Sequence, residues 1–188
     1  MIDLSLHILD VAENSIEARA SRVEIKLEEN RDLGLLVLEI SDDGVGMDEE
    51  MVKRALDPFV TTKTQRRFGL GLPLLDQAAK AANGRLTLES KPGQGTRVRA
   101  VFELGHVDLK PLGDIAQTLV TLIMGHPEVD IIYHHKAGRS KYSLDTREIK
   151  AQLAGIPIGS PEVIAALRKN IQEGLDQLRR QNESQQSH

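Results

Sequence analysis

The chain has 188 residues, with 24 Lys and Arg against 28 Asp and Glu, a formal net charge of −4. That balance, with a pI near 5.9, argues against a nucleic-acid partner or an anionic membrane surface. Cysteine is absent, which removes disulfides and thiolate metal sites, and an aromatic content of 3% implies an aliphatic core.

Residues 3–18, "DLSLHILDVAENSIEA", carry Leu4, Ile8 and Val11 on one stripe, which predicts a helix. Asp3, His7, Asp10, Asn14 and Glu17 recur at i+3 and i+4 and are expected on the polar face, with His7 solvated or at a pocket rim. "RVEIKLEE" (22–29) alternates and predicts a half-buried strand, joined by "NRDLG" to a second, "LGLLVLEIS" (33–41). Then comes "SDDGVGMDEE", two carboxylates against two glycines at a strand end. Residues 48–56 read as a short helix with acids at its start, 59–69 as a loop, and 70–83 as a helix stopped at Asn83-Gly84. "RLTLES" and "TRVRAVFEL" follow as strands joined by "KPGQG".

A composition shift follows "ELGH". Beyond it the pattern predicts a helix over 112–125, a solvated hairpin around "HHKAGRSK", a short helix near "TREIKAQL" and a helix from Pro161 to about Arg180, capped by Ser160. The tail "QNESQQSH" is polar, and 182–188 is expected to be disordered. No apolar run approaches the roughly 20 residues of a membrane helix. The acid-bearing start "MIDLSLHILD" is unlike a secretory leader, so a cytoplasmic protein is expected.

The order α-β-β-α-loop-α-β-β differs from the alternation of a doubly wound parallel sheet. It predicts an α/β (α+β) two-layer sandwich: a mixed, mostly antiparallel sheet with helices on one face. Residues 1–105 form the first unit, and 106–181 a small, mainly helical or α/β region.

Standard phosphate motifs are missing: there is no G-x-x-x-x-G-K-[ST], and no G-x-G-x-x-G opens a helix after a strand. "DGVG" alone reads as a turn. In order, however, the chain presents "DVAEN" on a helix, "DDGVG" after a strand, "DPFVTTK", "FGLGL" opening a helix, and "GQGT" between strands. This set resembles the ATP-binding domain shared by sensor histidine kinases, gyrase, the heat-shock chaperone and the MutL mismatch-repair clamp, the GHKL or Bergerat fold. The resemblance covers about residues 1–104. From "DPFVTTK" onward it is nearest the kinase branch, and "VAENSIEARASRVEIKLEE" is nearer MutL.

The resemblance implies ATP with Mg²⁺ as ligands. It gives Asp42 the adenine amino group, a donor matched by a carboxylate acceptor. Gly44 and Gly46 would let the backbone approach the base, with Met47 beside them, and Thr96 would support the same edge. Asn14 matches the metal ligand, its carboxamide oxygen suited to Mg²⁺. Leu70, Gly71 and Leu72, with Phe68 and Gly69, match the second glycine box, where the N-terminus of the 70–83 helix offers free N–H groups. Lys63 in the lid loop is the favoured cation on the phosphates, and Arg66 and Arg67 stand in the same loop. Asp10 stands where the clamp members carry a catalytic glutamate, four residues before Asn14 and on the same face. Those members also use a transducer lysine, for which Lys136 and Lys141 are the nearest candidates. Kinase phosphoacceptor helices would precede the ATP domain, and no acceptor helix of that kind is expected in this sequence.

The expected function is Mg-dependent ATP binding with transfer of the γ-phosphoryl group to a separate, unidentified protein partner. A second copy of the chain is a further candidate partner. The rival readings are an ATP-hydrolysing conformational switch and a nucleotide-sensing module without catalysis.

Overall fold

The computed structural model describes residues 3–57, Phe59 and residues 70–184. The elements run α1 (Leu4–Glu17), β1 (Arg22–Asn30), β2 (Leu35–Asp42), α2 (Glu49–Ala55), α3 (Gly71–Ala81), β3 (Arg85–Ser90), β4 (Thr96–Glu103), α4 (Ile115–Gly125), β5 (Asp130–Ala137), β6 (Ser140–Asp145), α5 (Thr146–Gln152) and α6 (Pro161–Ser184). This is the predicted order, with most boundaries within two residues, but α6 runs on to Ser184 with Asn182 buried, so the expected disorder of 182–188 is corrected for residues 182–184, and 185–188 lie outside the described residues. Among the described residues, no helix is long and apolar enough to cross a membrane.

The strands form one six-stranded sheet in the order β3-β4-β2-β1-β5-β6. Every pairing is antiparallel except β1 with β5, which run parallel from Arg22↔Asp130 to Glu29↔Ala137. The inward residues of β1, Val23, Ile25 and Leu27, are buried, as are Leu36, Leu38 and Ile40 of β2. They meet Leu4, Ile8, Val11 and Ala12 of α1, and Leu75 and Ala79 of α3. Each large aliphatic side chain so placed contributes about 1.5–3 kcal/mol relative to exposure. The opposite face over β2 and β4 is polar, with Arg97 and Arg99 paired to Glu39.

The segment after residue 105 extends this sheet. Tyr133 and His135 of β5 point inward and are buried, so the predicted solvated hairpin is corrected: β5 lies between β1 and β6, and only its outer face meets water. The second correction concerns His7, which is 3% exposed. The amides of Leu4 and Ser5 donate to the carbonyls of Pro111 and Leu112, and Thr118 of α4 donates to the Ser5 carbonyl. The post-105 segment thus packs on the first turns of α1 around His7, while Asp10 and Glu17 further along the polar face stay exposed. Burial lowers the His7 pKa, outweighing the nearby Asp10 and Asp3, and its Nδ1 has no hydrogen-bond partner among the described residues. The Ser160 cap is also not made, since Ser160 Oγ is buried without a hydrogen-bond partner among the described residues.

The two adjacent aspartates at the end of β2 take different work. Asp43 accepts from the Ser21 amide (2.8 Å), the Ser21 hydroxyl (2.6 Å) and the Arg22 amide (2.8 Å), which ties the β2 exit to the α1–β1 connection. Burial pushes its carboxyl up, but these hydrogen bonds together outweigh that and hold it below 3.8. Its stabilisation is therefore full above pH 3.8 and lost as pH falls through the lower folded value. Because the site is exposed and screened, Asp43→Ala is expected to cost only about 1 kcal/mol in urea unfolding at neutral pH. Ligand affinity at the Asp42 side should not change.

Candidate functional site

Asp42 is the last residue of β2 and pairs with Thr96, the first residue of β4. Its Oδ2 accepts a 2.6 Å hydrogen bond from the Ser15 hydroxyl of α1, and its Oδ1 accepts from the Gly44 amide at 2.8 Å. Burial raises its pKa, while the Ser15 hydroxyl and the Gly44 and Thr96 amides pull the other way. The carboxylate is thus fixed in orientation by three elements. It lines a cavity of about 240 Å³ whose walls are largely apolar: Val11, Val45, Met47, Met51, Leu72 and Val98. Asn14, Thr96 and Gly46 complete the lining with Ser15 and the α1 C-terminus.

The glycines explain how these pieces come so close. A Cβ on Gly44 would lie 2.8 Å from the Ala18 carbonyl oxygen, and the next amide, Val45, donates to that oxygen. Gly46 has φ +69°, and a Cβ there would collide with the Lys91 carbonyl, so the turn needs the residue without one. The Met47 amide donates to Ser90 Oγ at 2.8 Å, and Ser90 Oγ in turn donates to the Gly95 carbonyl and lies 2.9 Å from Thr96 Oγ1.

At the other end, α3 begins at Gly71, where an added Cβ would sit 3.0 Å from Asp10 Cβ and 3.7 Å from Asn14 Nδ2. The missing side chain therefore lets the first turn of α3 lie against the Asp10–Asn14 face of α1. The N-termini of α1, α2, α4 and α5 are each capped by an aspartate side chain, Asp3, Asp48, Asp114 and Asp145. Among the described residues no side chain caps the N-terminus of α3. Its first amides and positive dipole end lie beside Asn14. Leu70 is half exposed at this mouth, and Leu72 is buried beneath it.

Asp10 is exposed, and lost hydration on one side raises its carboxyl, with His7 opposing. Glu13 points elsewhere: its carboxylate lies 2.9 Å from His126 Nε2 at the C-cap of α4. No group of three or more His, Cys, Asp or Glu residues suited to a metal occurs among the described residues. Asn14 stands as a single oxygen donor, a set that suits a cation completed by phosphate and water. Asp10, Asn14, Asp42, Gly44, Gly46, Met47, Leu70, Gly71, Leu72 and Thr96 are thereby brought to one cleft. Lys63, Arg66, Arg67, Phe68 and Gly69 lie outside the described residues. Ser15, Ser90 and Gly95 escaped the sequence reading. A serine within the apolar Ile8–Val11–Ala12 stripe is the signal that would have exposed the first.

The family model described as "Histidine kinase-, DNA gyrase B-, and HSP90-like ATPase" matches residues 2–106, more than half of the chain. The chain belongs to this ATPase family. Among its relatives, sensor histidine kinase YxdK of Bacillus subtilis (strain 168) is 34% identical over 104 residues, 53% of this chain and 32% of that protein. Sensor protein kinase FleS of Pseudomonas aeruginosa is 36% identical over 110 residues, covering 58% of this chain and 27% of the relative. A putative sensor protein of Shewanella frigidimarina (strain NCIMB 400) is 36% identical over 75 residues, 39% of this chain and 12% of the relative. The chain thus spans a third or less of the length of these relatives. The solved N-terminal domain of a DNA repair protein superposes with a TM-score of 0.55 at 19% identity, over 77% of this chain and 53% of that one, which shows the shared fold.

The matched segment contains every residue of the Asp42 cleft. The transducer-lysine candidates do not reach it. Asp42 pairs with Val23 at one end of β1, whereas Lys136 pairs with Glu28 at the other. Five residues of strand separate those positions, about 16 Å. Lys136 Nζ is held 3.1 Å from Glu28, and Lys141 lies across from it on β6. Lys136→Met and Lys141→Met are expected to leave ATP affinity and turnover within about twofold of the parent, since exposed pairs contribute little.

Proposed function

We propose that the cleft binds Mg-ATP and that the chain transfers the γ-phosphoryl group to a residue of a separate protein. The observation that carries the ATP pose is the Asp42 carboxylate, held by Ser15, Gly44 and Thr96 against an apolar cavity. A half-buried carboxylate accepts from an exocyclic amino group, which adenine has and guanine lacks at that edge. Met47, Val98 and Leu72 supply apolar walls for the base, Gly44 and Gly46 admit it, and Thr96 supports the same edge. The N-terminus of α3, with Leu70, Gly71 and Leu72, receives the phosphates. Lys63, Phe68 and Gly69 join this reading through the family resemblance alone.

Asn14 would hold Mg²⁺, which, when bound, neutralises charge on the phosphate oxygens. The chain's own contribution is then placement: the base anchored at Asp42, the phosphates aligned on α3, and the γ-phosphorus turned outward to an incoming nucleophile. In the transfer, the bond from γ-phosphorus to the bridging oxygen breaks, ADP leaves with the electron pair, and a bond to the partner's nucleophile forms. The matches to sensor kinases support transfer, and the position of Lys136 and Lys141 far from the cleft speaks against a clamp-type closure through them. The cytoplasm, where ATP is supplied, is the compartment this reading requires.

One observation favours hydrolysis as the second reading: Asp10 sits at the first turn of α3 with a raised pKa, placed to take a proton from water. Incubation with γ-labelled ATP, magnesium and source-cell lysate separates the two. Label on another polypeptide supports transfer. Free phosphate that disappears in Asp10→Asn, without labelled protein, supports hydrolysis.

A further inference from the structure

At the end of the helical layer away from Asp42, the sheet, α4 and α6 enclose a second cavity of about 370 Å³. Glu29 lines it, and its partner on β2 is Leu36, six residues from Asp42 along the strand, about 20 Å. The floor is the inner face of β1 and β5 at Glu29, His135 and Ala137, and the walls are the start of α4 and the last turns of α6. The volume falls in the range of about 300–1,000 Å³ usual for small-molecule sites.

The floor is polar and fully engaged. His135, 5% exposed, has Nε2 2.8 Å from Glu29 Oε1 and Nδ1 3.1 Å from the Tyr133 hydroxyl. Such a buried chain is rigid because each member satisfies the next. Asp114, at the wall, is used as the cap of α4, accepting from the Gln117 amide at 2.8 Å. Two of the three acids lining the cavity are thereby committed, and Glu183 is exposed. The cations are not: Arg31 and Arg179 line the cavity, and their guanidinium groups form no hydrogen bond or ion pair among the described residues. Between these groups the wall is apolar, from Leu112, Leu175 and Leu178. The acids keep their charge, but Glu29 and Asp114 already have partners, so the groups left to meet a ligand are the two guanidiniums, which donate to an anion, and the apolar wall asks for a hydrocarbon body behind the charge.

We propose that this cavity is a second ligand site, which binds a small organic carboxylate through Arg31 and Arg179 with its hydrocarbon part against Leu112, Leu175 and Leu178. The site is independent of the nucleotide cleft and is tested without nucleotide. The full chain is titrated with hexanoate by calorimetry, with hexylammonium and inorganic phosphate as comparisons. Saturable hexanoate binding is expected, with no binding of hexylammonium and weaker binding of phosphate. In an R31Q/R179Q double variant the affinity should fall at least about tenfold. Both arginines are exposed, so the circular dichroism of that variant should match the parent. Ala137→Phe, which fills the floor, should abolish binding in protein that still melts cooperatively. Failure of hexanoate to bind at millimolar concentration, equal binding of hexylammonium or phosphate, or an unchanged affinity in the double variant overturns the proposal.

Discussion

Asp42→Asn is expected to weaken ATP binding by about 100-fold or more while leaving the fold intact. The carboxylate is the acceptor proposed for the adenine amino group. Replacing one oxygen by an NH₂ group sets donor against donor, either toward the base or toward the Gly44 and Thr96 amides. A lost hydrogen bond to a charged group is worth about 1.5–3 kcal/mol, and an unsatisfied buried donor adds about 1–3 kcal/mol. Folding responds differently. Burial places the Asp42 pKa above 3.8, so the folded chain holds this proton more tightly than the unfolded one. The group's contribution therefore opposes folding as pH rises from 3.8 through the raised folded value, and stays constant above it. Asparagine removes that cost and loses part of a hydrogen-bond set, which leaves stability within about 1 kcal/mol of the parent. Calorimetric titration with ATP and urea unfolding at neutral pH measure the two effects separately. Matching losses in both would mean that Asp42 is a folding residue.

The second large effect belongs to Gly95, in the turn between β3 and β4. Its φ is +78°, and a Cβ there would collide with the carbonyl oxygen of Asp42 and lie 3.0 Å from Asp43 Cα. Both partners are backbone, so no rotamer change relieves the contact, and β2 or β4 must shift at the residue that carries the site. Gly95→Ala is expected to cost about 2–4 kcal/mol in urea unfolding and to reduce ATP affinity as well. Gly34, φ +65° with nothing within 4 Å of an added Cβ, is the control. Gly34→Ala carries only the left-handed backbone cost of about 1 kcal/mol. Equal losses at the two positions would show that backbone angle alone, without the close approach to Asp42, accounts for the effect.

The elements were legible because their patterns are local. The alternation in "RVEIKLEE" and the stripe Leu4–Ile8–Val11 each report one burial face, and both faces are buried in the fold. The cleft was legible through the family resemblance of the ordered motifs that carry Asn14, Asp42, Gly71 and Thr96, which the sheet register and the α1–α3 packing bring together. What escaped depends on distant pairing. The parallel pairing of β5 with β1 joins residues over 100 positions apart, and nothing in "DIIYHHKA" announces that neighbour. The same contact buries His135, and the loop from Pro111 to Leu112 buries His7. A polar side chain on a regular polar face gave no local sign that another segment would cover it. Ser15 was hidden for the opposite reason, since its partner Asp42 lies 27 positions away on another element.

Calorimetric titration of the full chain with ATP and with GTP in magnesium buffer bears most directly on the adenine assignment. Saturable ATP binding with GTP weaker by at least about tenfold is expected, because guanine turns a carbonyl toward the Asp42 carboxylate. Equal affinity for the two nucleotides, or no heat with ATP, would contradict it.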